Sequence, residues 1–295
     1  MFKNFFLSYF ILLCGITMNI SYGKWKIIDT INLISGGNKI NKLSPRAFCI
    51  LGNRVYVANR DSNSILVIDT ANNNAMINIK VGLSPEAICV LGNRVYVANC
   101  DSNSVSIIDT ANNNAVTNIS VGKYPTAICV LENRVYVANS DNNSISIIDT
   151  ANNNAVTNII VGNYPRALCV LENRVYVANS NSNSISIIDT ANNNAITNIS
   201  VGNYPMAFCT LGNRVYVANY NSNSVSIIDT ANNNAITNIS VENNPRAICV
   251  LGSRVYVANS NSNSVSIIDI ANNNVVTNIS VEKYPIAICV LGNRV

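Results

Sequence analysis

One stretch of sequence returns at a fixed interval and constrains everything this chain can fold into. Pro45, Pro85, Pro125, Pro165, Pro205, Pro245 and Pro285 stand 40 residues apart, and the same step carries Tyr56 to Tyr256 and Asp69 to Asp269 through every intermediate copy. Each copy holds four runs of strand length rich in β-branched residues. After Pro85 they are 87–91, 94–99, 104–110 and 115–121, lettered A, B, C and D below. Gly92-Asn93 between A and B is a hairpin signal, and Ala111-Asn112-Asn113-Asn114 between C and D supplies asparagines that tolerate a tight turn. The polar Cys100-Asp101-Ser102-Asn103 joins B to C. Connections this short make each copy a four-stranded antiparallel meander. A sheet with two apolar faces and few charges must stack on its neighbours, and four strands per ~40-residue unit is what a propeller blade requires. No helical period follows residue 23.

Six copies are complete, at 45–81, 85–121, 125–161, 165–201, 205–241 and 245–281. Residues 24–42 read as strands C and D of a further blade, because Lys26-Ile27-Ile28-Asp29-Thr30 matches the C motif one period before Asp69. Residues 285–295 read as its A strand. Joining the two ends gives a seven-bladed β-propeller over residues 24–295, an all-β single domain whose seventh blade is shared between the termini and incomplete, the closure that removes exposed sheet edges. Its D strand around residues 35–40 is weakened by Gly36-Gly37, and its B strand stops at Arg294-Val295. A missing B strand would leave backbone groups unpaired, so the chain is expected to be a truncated or frameshifted product of a longer gene.

Residues 1–23 read as a secretory signal: Lys3 is the positive start, Phe5 to Ile16 the apolar run, and Ser21-Tyr22-Gly23 the small-residue cleavage region. A retained anchor needs a longer apolar run than this, and lipidation at Cys14 would want a small residue where Leu13 stands. Export to the periplasm or the cell surface is expected, as a monomer without integral membrane association after cleavage. The net charge is +4 with basic residues dispersed, unlike a nucleic-acid arm or a polybasic membrane patch. Histidine is absent, which removes the commonest general base and metal ligand together. Cys49, Cys89, Cys129, Cys169, Cys209, Cys249 and Cys289 are one repeated position in an apolar run and read as small buried hydrophobes, whereas Cys100 in its loop reads as the one reactive thiol.

Val95-Tyr96-Val97-Ala98-Asn99, followed by Ser-Asn-Ser, Ile-Ile-Asp-Thr and a closing Val-Gly, resembles the YVTN-repeat β-propellers, which include YncE-like periplasmic proteins and archaeal surface-layer proteins. The resemblance covers residues 24–295, with Ala98 and its counterparts in place of the family's threonine. It implies an exported seven-bladed propeller. It also implies a spread of roles: DNA binding in the YncE-like branch, cell-surface structure in others, and cofactor-bearing domains of oxidoreductases in related propellers. Fold analogy does not choose among them.

Chemistry is sought where the repeat breaks. The repeated Asp69 to Asp269 precede the C–D turn and read as turn caps, and Tyr56 to Tyr256 as inter-blade packing with a satisfied hydroxyl. Arg54, Arg94, Arg134, Arg174, Arg214 and Arg254 form one ring at the A–B hairpin end. That ring is either an anion-binding surface or a set of arginines stacked on neighbouring strands with their heads in water; Glu132 and Glu172 could pair with Arg134 and Arg174. Departures collect instead after each proline, in the linkers before it and in the B–C loop. The residues so marked are Arg46, Arg60, Glu86, Lys123, Tyr124, Tyr164, Arg166, Tyr204, Tyr220, Arg246 and Tyr284.

In a meander the D–A and B–C connections emerge at one end, so these residues share a rim, expected to be a ligand surface unless it records neutral drift of exposed loops. No pair of rim carboxylates and no His, Asp and Glu cluster suited to calcium or zinc is present, so no catalytic residue, metal or cofactor is assigned and the protein is read as not an enzyme. The expected function is a binding scaffold for a protein or surface polymer. The alternatives are a structural surface-layer or envelope protein, with a DNA-binding periplasmic propeller and a cofactor-bearing oxidoreductase subunit as minor readings.

Overall fold

β-Branched runs between asparagine and glycine turns yield six four-stranded antiparallel sheets, each in the order A-B-C-D. The computed structural model describes residues 16–21, 24–29, 34–35, 38–39, 44–69, 71, 76–290 and 295. The first sheet takes A from Pro45–Leu51, B from Arg54–Asn59, C from Ser64–Asp69 and D from Met76–Lys80. The fourth sheet repeats it with Pro165–Leu171, Arg174–Asn179, Ser184–Asp189 and Asn194–Ser200. The A strands thus begin at the proline, two residues earlier than the sequence motif suggests. The chain divides into two compact units, Met1–Asn118 and Ile119–Val295, described separately below.

Period-2 alternation explains how one sheet serves two interfaces. In the B strand of the third blade, Tyr136 and Ala138 point one way and join Ile145, Ile147 and Ile159 against Val175, Val177 and Ile188 of the fourth blade. The fourth blade repeats this, with Tyr176, Ala178, Ile185, Ile187 and Ile199 against Val215, Val217 and Ile228 of the fifth. In the first unit, Tyr56, Ala58, Ile65 and Val67 meet Val95, Val97 and Ile108 in the same way. Within Ile119–Val295 successive A strands lie side by side while the D strands barely touch, so the sheets converge on A and splay at D. This is the stacking of propeller blades.

Turn chemistry is local and repeated. In the C–D turn the Asp109 carboxylate accepts the Ala111 N–H at 2.9 Å and Asn113 takes φ +55°, with Asn153, Asn193, Asn233 and Asn273 between +52° and +58°. The capping role of these aspartates is therefore direct. The A–B hairpin needs a positive φ at its first turn residue; Gly92 supplies it at +57°, whereas Glu132 and Glu172 occupy the same conformation at +51° and +52°.

Ile16–Ser21 pairs antiparallel with Lys24–Asp29, from Ile16 opposite Asp29 to Ser21 opposite Lys24. Residues 1–15 of the expected signal segment, with Tyr22 and Gly23 of its cleavage region, lie outside the described residues. Of residues 35–40, read from sequence as one D strand, Ser35 pairs antiparallel with Asn38, as Ile34 does with Lys39, and residues 36, 37 and 40 lie outside the described residues. Pro285–Val290 carries the A motif without a ladder. In every complete blade the ladder partner of A is B, and of that B motif only Val295 is among the described residues.

Candidate functional site

The variable residues gather at the proline end of each sheet because three connections are bonded together there. Asn139 sits opposite Pro125 while Ala138 sits opposite Ala127, so Thr126 is the extra residue of a β-bulge. The same bulge recurs at Arg46, Arg166, Met206 and Arg246, with Glu86 in the corresponding place. Bulges re-aim the side chain of the extra residue, and here every one is a position where the repeat breaks. The B–C loop bonds to the linker: Ser180 N–H donates to the Tyr164 carbonyl at 3.0 Å, Tyr220 N–H to Tyr204 at 2.9 Å and Arg60 N–H to Ser44 at 2.9 Å.

Within Met1–Asn118 this end brings Arg46, Arg60 and Glu86 together. Both guanidinium groups reach the Glu86 carboxylate at 3.6 Å, and Ser84 donates to Asp101 beside them. Within Ile119–Val295 the cluster is aromatic and cationic. Arg166 Nη1 stands 3.5 Å from the Tyr204 hydroxyl, and the Tyr204 and Tyr220 rings lie 6.2 Å apart, tilted by 57°. Arg246 lies over the Tyr284 ring, 5.8 Å from its centroid, and 3.4 Å from its hydroxyl. Lys123 is exposed, and Tyr124 and Tyr164 are half-buried. Burial raises the Tyr164 hydroxyl above its ordinary value, partly offset by Arg166.

At the opposite end Arg54, Arg134, Arg174 and Arg214 are half-buried and engaged by the next blade, whereas Arg254 is exposed. Arg54 Nη1 donates to the Thr110 carbonyl of the next blade at 2.6 Å, Arg134 to Thr190 at 2.5 Å and Arg174 to Thr230 at 2.7 Å. Arg134 and Arg174 also reach Asn193 and Asn233 at 2.9 Å. They therefore staple blade to blade instead of pairing with Glu132 and Glu172. Arg94 sits opposite Asp109 in its ladder, and Arg254 opposite Asp269. At Arg214 the bonds lengthen to 3.3 and 3.4 Å. The turn residue there is Ile270, which lacks the hydroxyl by which Thr190 and Thr230 grip the carbonyls of Asn173 and Asn213. We expect Arg134→Ala and Arg174→Ala each to cost about 2 kcal/mol in a urea titration and Arg214→Ala about half that. Equal costs at all three would contradict the staple.

A cleft of about 410 Å³ opens between the first two blades at this end, lined by Leu51, Arg54, Tyr56, Asp69 and Asn93 among others, with Arg54 already engaged. Tyr56 donates to Asn113 at 3.5 Å, whereas the buried hydroxyls of Tyr136, Tyr176 and Tyr216 meet no acceptor at hydrogen-bond geometry. Each of these hydroxyls lies beside the arginine two residues before it, Arg134, Arg174 or Arg214, which partly offsets the rise that burial causes. The Cys100 side chain is only 1% exposed, so its loop does not offer a reactive thiol. Cys49, Cys129, Cys169, Cys209 and Cys249 form no disulfide.

One set of residues escaped the sequence reading. Asn139, Asn179, Asn219 and Asn259 close each B strand fully buried, and each donates from Nδ2 to two serines of the C strand; for Asn179 these are Ser184 at 3.2 Å and Ser186 at 2.8 Å. Ser186 passes a bond on to Asn198 at 2.6 Å and accepts the Gly162 N–H at 3.4 Å. A Cβ on Gly162 would stand 2.7 Å from the Asn179 side chain, so glycine is needed for that approach. The signal was present: serine recurs at 106, 146, 186, 226 and 266 between apolar residues of the C strand, and among the six complete copies gives way at Leu66.

Blades of this kind, stacked face to face through period-2 cores and fanning from A to D, define a β-propeller. No protein-family model matches the chain, and no curated protein does. Among solved structures the chain is similar to the hydrazine synthase of Kuenenia stuttgartiensis, at 19% identity and a TM-score of 0.70, over 86% of this chain and 92% of that one. It is also similar to the computationally designed Ika8 protein, at 13% identity and a TM-score of 0.75, over 95% of this chain and 88% of that one. At such identities the likeness concerns the fold. Among the described residues no helix is long and apolar enough to cross a membrane, and no group of three or more His, Cys, Asp or Glu is placed to hold a metal ion.

Proposed function

We propose that this protein is an exported, non-enzymatic propeller of the YVTN-repeat kind, closed as seven blades by its two ends, that binds a macromolecule or envelope component through the proline-end rim. The observation that carries this reading is a division of labour. Recurring side chains are engaged inside the fold, as Asn179 is with Ser186, Asp109 with the Ala111 amide and Arg174 with the Thr230 carbonyl of the next blade. The bulge residue keeps one backbone geometry while its identity runs through Arg46, Glu86, Thr126, Arg166, Met206 and Arg246. A fold that needed that side chain would keep it constant. Exposed arginine and tyrosine are the residues that anchor interfaces.

The test changes Arg46, Arg166, Arg246, Tyr164 and Tyr204 together to serine and measures retention on isolated envelope material from the cells that make the protein. Retention is expected to fall roughly tenfold or more with the far-UV spectrum unchanged, since anchors of these types carry most of an interface's energy. Undiminished retention would remove the rim as the binding surface.

A further inference from the structure

Resting on the rim reading, we infer that the linker tyrosines of Ile119–Val295 form a stacking platform for an uncharged polysaccharide strand of pyranose rings. Tyr124, Tyr164, Tyr204 and Tyr284 hold φ between +57° and +58°, where a bulky side chain is an outlier. Ser84 and Asn244 occupy the same position at +54° and +56°. The cradle is the same for all of them. Asn143 accepts the Tyr164 N–H at 2.9 Å, Asn183 the Tyr204 N–H at 3.0 Å, and Asn223 the Asn244 N–H at 2.9 Å. On the other side the carbonyls of Tyr124, Tyr164, Tyr204 and Asn244 each accept from the B–C loop. The backbone is thus locked with or without a ring, and the fold is served better by asparagine. Tyrosine nevertheless stands there in three successive blades.

Placing a bulky residue in a conformation it disfavours, held by an over-determined surround, is how binding surfaces present a rigid group. Successive linkers are in touch: Arg166, two residues after Tyr164, stands 3.5 Å from the Tyr204 hydroxyl, and Tyr220 adds a second ring beside Tyr204. Asn163, Asn203 and Asn243 stand exposed in these linkers. A platform repeated blade by blade suits a ligand that repeats. A single-stranded nucleic acid repeats too, but brings a phosphate with each base and needs a matching excess of cations. Here Lys123, Arg166, Arg246 and Lys283 are nearly cancelled by Asp141, Glu242 and Glu282. A pyranose lays an apolar C–H face on tyrosine, gives its hydroxyls to amides and carries no charge, which matches what is displayed.

The experiment titrates the full chain with cellohexaose and with chitohexaose, using oligo-dT as the charged control. Binding of either hexasaccharide is expected, changing less than about threefold between low and high salt because no counterions are released. The combined Tyr124→Asn, Tyr164→Asn and Tyr204→Asn variant should bind more than roughly tenfold more weakly, as loss of stacking rings does. Its melting temperature should hold or rise, which a merely structural role for the rings would not allow. Binding of neither sugar, sugar binding untouched by the triple change, or strongly salt-dependent binding of oligo-dT alone would overturn the inference. If neither sugar binds yet envelope retention is still lost in the five-residue variant, the rim stands and the polysaccharide falls.

Discussion

Asn179→Ala is expected to lower the stability of the protein by about 2–3 kcal/mol, and Asn59→Ala to leave it within about 0.5 kcal/mol or raise it. The two asparagines close the same strand in different blades and are both fully buried. Asn179 holds Ser184 and Ser186 at 3.2 and 2.8 Å, so its loss removes two buried bonds and opens a small cavity. Asn59 faces Leu66 where the other blades have serine, and both its amide atoms are buried without a partner. Deleting it removes a group whose desolvation is not repaid. Urea midpoints at unchanged m-value measure both variants. Similar losses at the two positions would show that the asparagine–serine bonds contribute nothing beyond packing.

Above pH 9 the protein is expected to lose stability with each further pH unit. Burial pushes the thiols of Cys129 and Cys209 up to about 12 from an ordinary value of 9.0, and that of Cys169 higher still. A raised acid stays protonated in the folded state while the unfolded chain ionises, so the unfolded state binds fewer protons and stability falls as pH rises through the window from 9 to about 12. A fully buried thiol would contribute about 1.4 kcal/mol per pH unit. Each of these keeps some exposed surface, so about half of that is reasonable, or about 2 kcal/mol per unit for the three together. Tyr136, Tyr176 and Tyr216 are raised by burial as well, from 10.0, and steepen the fall only above pH 10. The interval between pH 9 and pH 10 therefore isolates the thiols. Replacing Cys129, Cys169 and Cys209 with alanine should lessen the slope there, leaving the share of Cys49 and Cys249, which burial raises as well; an unchanged slope would place its origin elsewhere.

Much of the blade was legible because its causes are local. Alternation along Val175-Tyr176-Val177-Ala178 sends tyrosine and alanine to one interface and valine to the other, and Asp109 caps its own turn two residues on. The rim was legible as well, since antiparallel connectivity alone places the linker, bulge and B–C loop at one end. Chain order could not reveal that the residue after each proline is the bulge; only the register of A against B shows it.

By itself, then, the sequence determined the repeat, the four-stranded unit, the two-faced core and the end at which variation collects, all of which follow from periods of two and of 40 residues. Tertiary structure alone decided what the recurring polar side chains do. Arg54 finds its acceptor 56 residues away in another blade, Cys100 is buried although its loop is polar, and Arg46 and Arg60 converge on Glu86. These outcomes depend on how one sheet is set against the next, and that setting is a sum of many small packing contacts which no single motif encodes.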